Sequence, residues 1–236
     1  MTIKEIRELS YELWRKIIKL YMSNPLTHVY LMYDIIYELD NTDIYLALNE
    51  EIKGYLLIWK GMRRYGIHIW GEAGELIGYI PQRLKAVIQI YNKNLLNNVL
   101  EYLRNENIEV KEYLDMAVEE YVFKPYMSEK AKKLSENDVE AFSEIKKAQG
   151  MNIDMNKCKE LITKWRYYGV YVNSKLVSIA CAYVRMPEVW VIGDVFTHPD
   201  HRGKGYAKIA TSAITRDAIT SGAKALLHVE KIMYQR

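Results

Sequence analysis

The chain has 236 residues, 50% of them hydrophobic and 27% charged, with a formal net charge of +3; this is ordinary for a soluble globular protein and suffices for one large domain or two small ones. No apolar run approaches the roughly 18 residues of a membrane span, and no short apolar stretch follows a basic start, so the expectation is a cytoplasmic protein without membrane contact. The charge is mild and its Lys and Arg residues are interspersed with acids, so no nucleic-acid partner is expected.

Cys158 and Cys181 fall in helix-like and strand-like apolar contexts, which suits reduced core thiols better than a disulfide. The 20 tyrosines sit mostly in alternating or helical apolar patterns, as at Tyr167, Tyr171 and Tyr183, where a ring packs and its hydroxyl reaches the rim.

In chain order, Ile6, Leu9, Leu13, Ile17 and Leu20 recur at helical spacing, and Pro25 can open a second helix to about Leu39. Strands are expected at 44–48 and 54–59, joined across Asn49-Glu50-Glu51, then at 66–70. A strand at 86–91, a helix at 95–103 and mostly extended chain at 110–122 follow. A polar passage at 124–133 containing Pro125 reads as the domain boundary, so the expected domains are 1–126 and 127–236.

The second domain repeats the pattern. Ser135 with Asp138 forms a capping box for a helix that Gly150 stops. Asp154 caps another, with the stripe Cys158, Leu161, Ile162 and Trp165. A hairpin at 169–184 turns over Asn173-Ser174, Met186-Pro187 turns the chain, and 188–197 is the strand that leads to the most informative segment. There, Thr197-His198-Pro199-Asp200-His201-Arg202-Gly203-Lys204-Gly205-Tyr206-Ala207 joins this strand to a helix on which Ala207, Ala210, Ile214 and Ala218 repeat at helical spacing. Gly203 and Gly205 free the backbone to turn tightly, so that several N–H groups can converge on one anion at the positive end of the helix. Arg202 and Lys204 add charge. A P-loop is a poorer fit, since no Gly-x-x-x-x-Gly-Lys-Ser/Thr string occurs.

The spacing Arg202-x-x-Gly205-x-Ala207, after a strand ending Asp194-Val195-Phe196-Thr197-x-Pro199, resembles the coenzyme A pyrophosphate loop of the GCN5-related N-acetyltransferase (GNAT) superfamily. The wider string from Ile192 to Ala207 looks closest to its FR47-like branch. The resemblance covers about 134–230, and the first domain matches only in element order, without a basic paired-glycine turn at 71–81. It implies an α/β (α+β) fold with a mixed, mostly antiparallel sheet flanked by helices, with two tandem GNAT-like domains expected, of which the first is degenerate or an accessory domain.

The function implied is acetyl transfer from acetyl-CoA to an amine, with no metal. Val195, Phe196 and Thr197 would bond the pantetheine arm through their backbone, and Arg202, Gly203, Lys204, Gly205, Tyr206 and Ala207 would hold the pyrophosphate. A longer acyl donor remains open. A lysine-like amine, with a pKa of about 10.4, is neutral only about once in a few thousand molecules at pH 7, so it needs a base more than an α-amine near 8 does. Asp194 and Glu188, on one face of the strand by alternation, are the candidates. His198 and His201 read as loop histidines rather than metal ligands, since no further ligating residues complete a set. His228 lies in the next strand, at 225–229, which would border the acyl site.

GNAT chains usually continue beyond this strand into a helix whose tyrosine is a candidate acid for the thiolate. Here seven residues follow Val229, with Tyr234 the one tyrosine among them. The resemblance therefore implies an apparently truncated unit, completed by other parts of the chain or by the second subunit of a homodimer. The competing reading is a noncatalytic acyl-CoA-binding or protein-interaction module. The open 225–229 edge also needs a cover, for which the extended 110–122 segment is the nearest candidate.

Overall fold

The computed structural model describes residues 1–6, 8–61 and 64–231, which divide into two compact units, Met1–Val110 and Lys111–Arg236. Both are mixed α+β units built on a mixed sheet flanked by helices.

In the first unit, strand β1 (Thr2–Glu5) precedes helices α1 (Tyr11–Ser23) and α2 (Pro25–Tyr37). Strands β2 (Thr42–Leu48), β3 (Ile52–Trp59), β4 (Tyr65–Gly71) and β5 (Ala86–Ile90) follow, and then helix α3 (Leu96–Tyr102). The sheet order is β1-β2-β3-β4-β5, antiparallel except for the parallel β4·β5 pair.

The first helix starts later than its apolar repeat suggests. Ser10 accepts from the Leu13 N–H at 3.3 Å and caps α1, so Ile6 lies upstream, where its N–H donates to the Ile44 carbonyl at 2.8 Å. Pairing of β1 with β2 draws these residues into the sheet, a tertiary demand that overrides local periodicity. Asn24 closes α1 and caps α2 at Thr27, with Pro25 in the first helical turn.

His28 of α2 is 2% exposed and meets the buried Tyr55 hydroxyl at 3.2 Å, with the Trp70 ring edge-on at 4.6 Å. Burial lowers its pKa to about 4. The unfolded chain therefore takes up this proton more readily, so the neutral-His28 contribution is complete above the ordinary pKa of about 6.5 and is lost as pH falls towards 4. Acidifying from pH 7 to 5 should cost this unit about 2 kcal/mol through His28 alone, before most carboxylates titrate. Urea unfolding of the wild type and His28→Asn across that range tests it: parallel pH dependences would contradict the assignment.

In the second unit, strands β6 (Tyr113–Val118) and β7 (Ala131–Lys133) precede helices α4 (Val139–Ala148) and α5 (Met155–Lys164). Strands β8 (Arg166–Val172), β9 (Lys175–Arg185) and β10 (Val189–Thr197) come next, followed by helix α6 (Tyr206–Thr220) and strand β11 (Lys224–Glu230). The sheet order is β6-β11-β10-β9-β8-β7, with β10·β11 the parallel pair, joined through α6. The division expected at 126/127 falls inside this unit, because β6 pairs with β11 from Ala225↔Val118 to Glu230↔Tyr113. That pairing covers the 225–229 edge with the very segment the sequence nominated.

Helices flank both faces of the second sheet. Phe142, Ile145, Cys158 and Leu161 pack with Tyr167, Ile179 and Cys181 on the α4/α5 side. On the other, the small residues Ala210, Ala213 and Ala218 let α6 lie close to Val177, Ala180, Ala182 and Ile192. Asp217 fixes that helix by accepting from Arg166 Nη1 at 3.1 and 2.9 Å and from the Tyr168 hydroxyl at 3.2 Å. Ser135 and Asp138 form the expected capping box, and both cysteines are buried and free.

Candidate functional site

β10 turns into α6 through a short 3-10 turn (Pro199–His201) and the glycine pair. Gly203 and Gly205 adopt left-handed φ values of +75° and +80°, which glycine alone takes without strain. Gly205 is the N-cap of α6, and no side chain caps that helix. The first-turn N–H groups of a helix lack intrahelical acceptors, so those of Tyr206 and Ala207 remain available to an anion.

The loop also has room for one. A Cβ built on Gly203 would meet nothing within 4 Å, and one on Gly205 would find only Tyr126, at 3.7 Å. Arg202, Lys204 and Lys208 are exposed around it. Arg202 donates to the Thr197 carbonyl at 3.3 Å, and its guanidinium lies 5.9 Å from the Phe196 ring. Lys208 sits 4.1 Å over the ring of Tyr126, a neighbour that sequence reasoning missed because it lies far upstream of the motif.

Next to this loop the sheet opens. β10 and β11 pair only over Val189–Ile192 and Lys224–Leu227. Beyond Ile192, β11 stays with β6 while β10 stays with β9. Phe196 and Thr197 pair with Ile179 and Ser178, and the Ser178 hydroxyl donates to the Phe196 carbonyl at 2.9 Å. The β10 edge that faces away from β9 at 193–197 is thus left without a strand partner on the β11 side, and Val195 is 38% exposed.

A bulge marks the same place. Between Gly193↔Cys181 and Phe196↔Ile179, two residues of β10 oppose one of β9, and Asp194 takes φ +49°. Gly193 is required here, since a Cβ would come within 2.6 Å of the Tyr183 ring.

The Asp194 carboxylate is held from three sides. Lys146 Nζ forms an ion pair with Oδ2, the Tyr167 hydroxyl donates to Oδ2 at 2.7 Å, and Gln149 Nε2 donates to Oδ1 at 2.8 Å. Lys146 is 1% exposed and also donates to Gln149 Oε1 at 3.1 Å. Burial, reinforced by the nearby Cys181 and Asp194, raises the Tyr167 pKa well above that of an ordinary phenol, which keeps its proton on the hydroxyl as a donor. Lys146 and Gln149 were legible in principle: with Phe142 and Ile145 they complete an i, i+3, i+4, i+7 stripe, and a lysine on the buried stripe of a helix requires an acid partner.

Glu188 is not brought to this cluster. It lies in the turn before β10, its carbonyl accepting from the Lys224 N–H at 2.9 Å, about 20 Å from Asp194 along the strand. Among the histidines, His198 and His201 stay in the loop with ring centroids 5.8 Å apart. His228 Nδ1 lies 2.6 Å from Asp115 Oδ1, across the β11·β6 pair. Among the described residues no group of three or more His, Cys, Asp or Glu is gathered that could hold a metal ion. Tyr234 lies outside the described residues.

The first unit makes its parallel crossover differently. Between β4 and β5 it has a short 3-10 helix (Gly74–Tyr79) and no α-helix, so no α-helix N-terminus stands at the position equivalent to the 202–207 loop.

Residues 138–233 match the family described as Acetyltransferase (GNAT) family. Among solved structures, a GCN5-related N-acetyltransferase-like protein from Streptococcus suis 89/1591 is similar at 15% identity and a TM-score of 0.60, over 93% of this chain and 89% of that one. An acetyltransferase from the GNAT family of Colwellia psychrerythraea is similar at 13% identity and a TM-score of 0.51, over 98% and 91% of the two chains. No curated protein matches the sequence. The likeness is to the superfamily and does not single out the FR47-like branch. The family match thus lies within the second unit, at residues 138–233, and the chain as a whole is similar in fold to these GNAT structures.

Proposed function

We propose that the second unit binds acetyl-CoA and transfers its acetyl group to an amine. The observation that carries this reading is the meeting of two features: β10 parts from β11 at Gly193, and the uncapped N-terminus of α6, with its two left-handed glycines, lies just beyond that opening. An extended pantetheine arm fits the strand-like backbone of Val195, Phe196 and Thr197, while the amides of Gly203 through Ala207, with Arg202 and Lys204, suit a pyrophosphate.

Acetyl-CoA would supply an activated thioester, whose carbon gains the amine nitrogen as its bond to sulfur breaks, with the amine proton leaving to solvent or to the thiolate. The chain's part is to hold the donor beside the opening. Asp194 accepts from three donors and Glu188 stands at the other end of β10, so the site fits an amine that is already partly neutral at pH 7. An α-amine near pKa 8 is neutral roughly one time in ten, a lysine amine far less often. The free, buried thiols of Cys158 and Cys181 suit a reducing compartment, and the proposed location is the cytoplasm.

Gly205→Val tests the cradle. Its cost falls on the backbone, since a β-branched residue strongly resists φ near +80°, and CoA affinity by calorimetry should fall at least about tenfold; unchanged affinity in the folded variant removes the assignment. The wild type should bind one CoA per chain, as the first unit lacks the loop, and a stoichiometry of two would contradict this. Release of free CoA with a panel of peptides bearing α- or ε-amines separates the enzyme from a noncatalytic acyl-CoA-binding module.

A further inference from the structure

Asp194 occupies a conformation that a strand does not offer by itself. Among the described residues, the non-glycine positions with positive φ are Arg83, Met127, Asn173, Ser174 and Asp194, and of these Asp194 alone lies within a β-strand. The residue stands at the bulge of β10, one position beyond the point where β10 leaves its pairing with Gly193↔Cys181 and two beyond the last β10·β11 pair at Ile192↔Leu227. A left-handed residue at such a place persists only when its surroundings over-determine it. The surroundings here are Lys146 and Gln149 of α4 and Tyr167 of β8.

We propose that the buried Lys146–Asp194 pair is a clamp that holds the β10 bulge in shape and thereby sets the width of the opening that receives the extended arm of the acyl donor. Asp194 is then a positioning residue, acting through the backbone of Val195 to Thr197, and takes no proton from the amine. The proposal rests on the acetyl-CoA reading for the identity of the arm. The linkage has a direction: Lys146 lies on the α4/α5 side of the sheet, 48 residues upstream, so the pair ties the bulge of β10 to α4 and to the core formed by Phe142, Ile145 and Tyr167. A charge that is 1% exposed cannot leave its partner without remaining desolvated, so the pair has little freedom to open. Gln149, bonded to both members, fixes the carboxylate plane. The exposed side of β10, where Val195 points outward, is left free of these ties and open to a ligand.

The test compares the wild type, Asp194→Asn, and the double variant Lys146→Met with Asp194→Ala, which carries no unpaired buried charge and so is the safer to fold. Asn tolerates the left-handed conformation but cannot neutralise Lys146. CoA and ADP are titrated by calorimetry, ADP carrying the pyrophosphate without the arm. The clamp predicts that CoA affinity drops about tenfold in the double variant while ADP affinity stays within about twofold. Equal losses for both ligands, or no loss for CoA, overturn it. In steady-state assays Asp194→Asn should raise the KM for acetyl-CoA and keep the shape of the kcat–pH profile; loss of the acid limb would show that Asp194 is the base and overturn the proposal. Amide hydrogen exchange at 194–197 in the ligand-free protein should quicken in the double variant, and unchanged exchange also overturns it. A wild type that binds neither ligand defeats the acetyl-CoA reading alone, because the exchange result still decides whether the clamp holds the bulge.

Discussion

A fragment of residues 128–236 is expected to be insoluble or to unfold without cooperativity, whereas residues 111–236 should be soluble and unfold in one transition. The two differ chiefly in β6, which pairs with β11 through six residues on each side. Without it, β11 becomes an edge strand carrying Leu226, Leu227 and Val229, a template for intermolecular pairing. The lost ladder of about 1 kcal/mol per hydrogen bond, together with the uncovered side chains, is comparable with the 5–15 kcal/mol that holds an ordinary domain together. Expression of both fragments, with urea unfolding of whatever is soluble, decides the matter. A monomeric, cooperative 128–236 fragment would show that β6 is dispensable.

Breaking the Lys146–Asp194 pair from one side should be the most damaging point change in the second unit. Asp194→Ala leaves the ammonium of Lys146 at 1% exposure with no anion to neutralise it, its remaining neighbours being Gln149 and the faces of the Phe142 and Tyr167 rings at 5.2 and 5.4 Å. Removing one member of a buried pair costs roughly 3–5 kcal/mol, while replacing both by apolar groups is often close to neutral. Asp194 keeps 18% exposure, which lets some water reach the orphaned charge and places the single variant near the lower end, about 3 kcal/mol. The double variant with Lys146→Met should recover most of that loss. Chemical unfolding of both variants reads the difference, and equal stabilities would mean that the charge of Lys146 is not desolvated in the folded protein.

Local chemistry made much of the second unit legible in the sequence. Asn173 and Ser174 take φ values of +48° and +65°, the paired left-handed turn that a two-residue hairpin needs. The doubled glycine of the 202–207 loop likewise adopts the backbone its spacing implies, and Asp154 caps α5 at Lys157. What local pattern could not show was pairing at a distance. β1 is a four-residue strand defined by its neighbour β2, so helical spacing through Ile6 and Leu9 seemed to run straight into α1. Asp194 invited a catalytic reading because its partners lie on other elements; the stripe of α4 marks Lys146 as needing an acid, but only the sheet beneath it shows which acid that is. The boundary moved for the same reason, since the polar 124–133 stretch looks like a linker although the strand before it belongs to the later unit.

The position of β6 in the chain has a consequence for biosynthesis. Tyr113–Val118 leaves the ribosome about a hundred residues before Lys224–Glu230, the strand it must join, which at translation rates of 5–20 residues per second is a wait of roughly 5–20 s. The first unit has no such delay, because its sheet partners all emerge within the first 90 residues. In the second, β11 bridges the strand made first and the strand made just before it. A nascent chain stalled before Lys224 therefore holds Tyr113 and Met116 on an unpaired strand, and only the arrival of the last strand lets the sheet close.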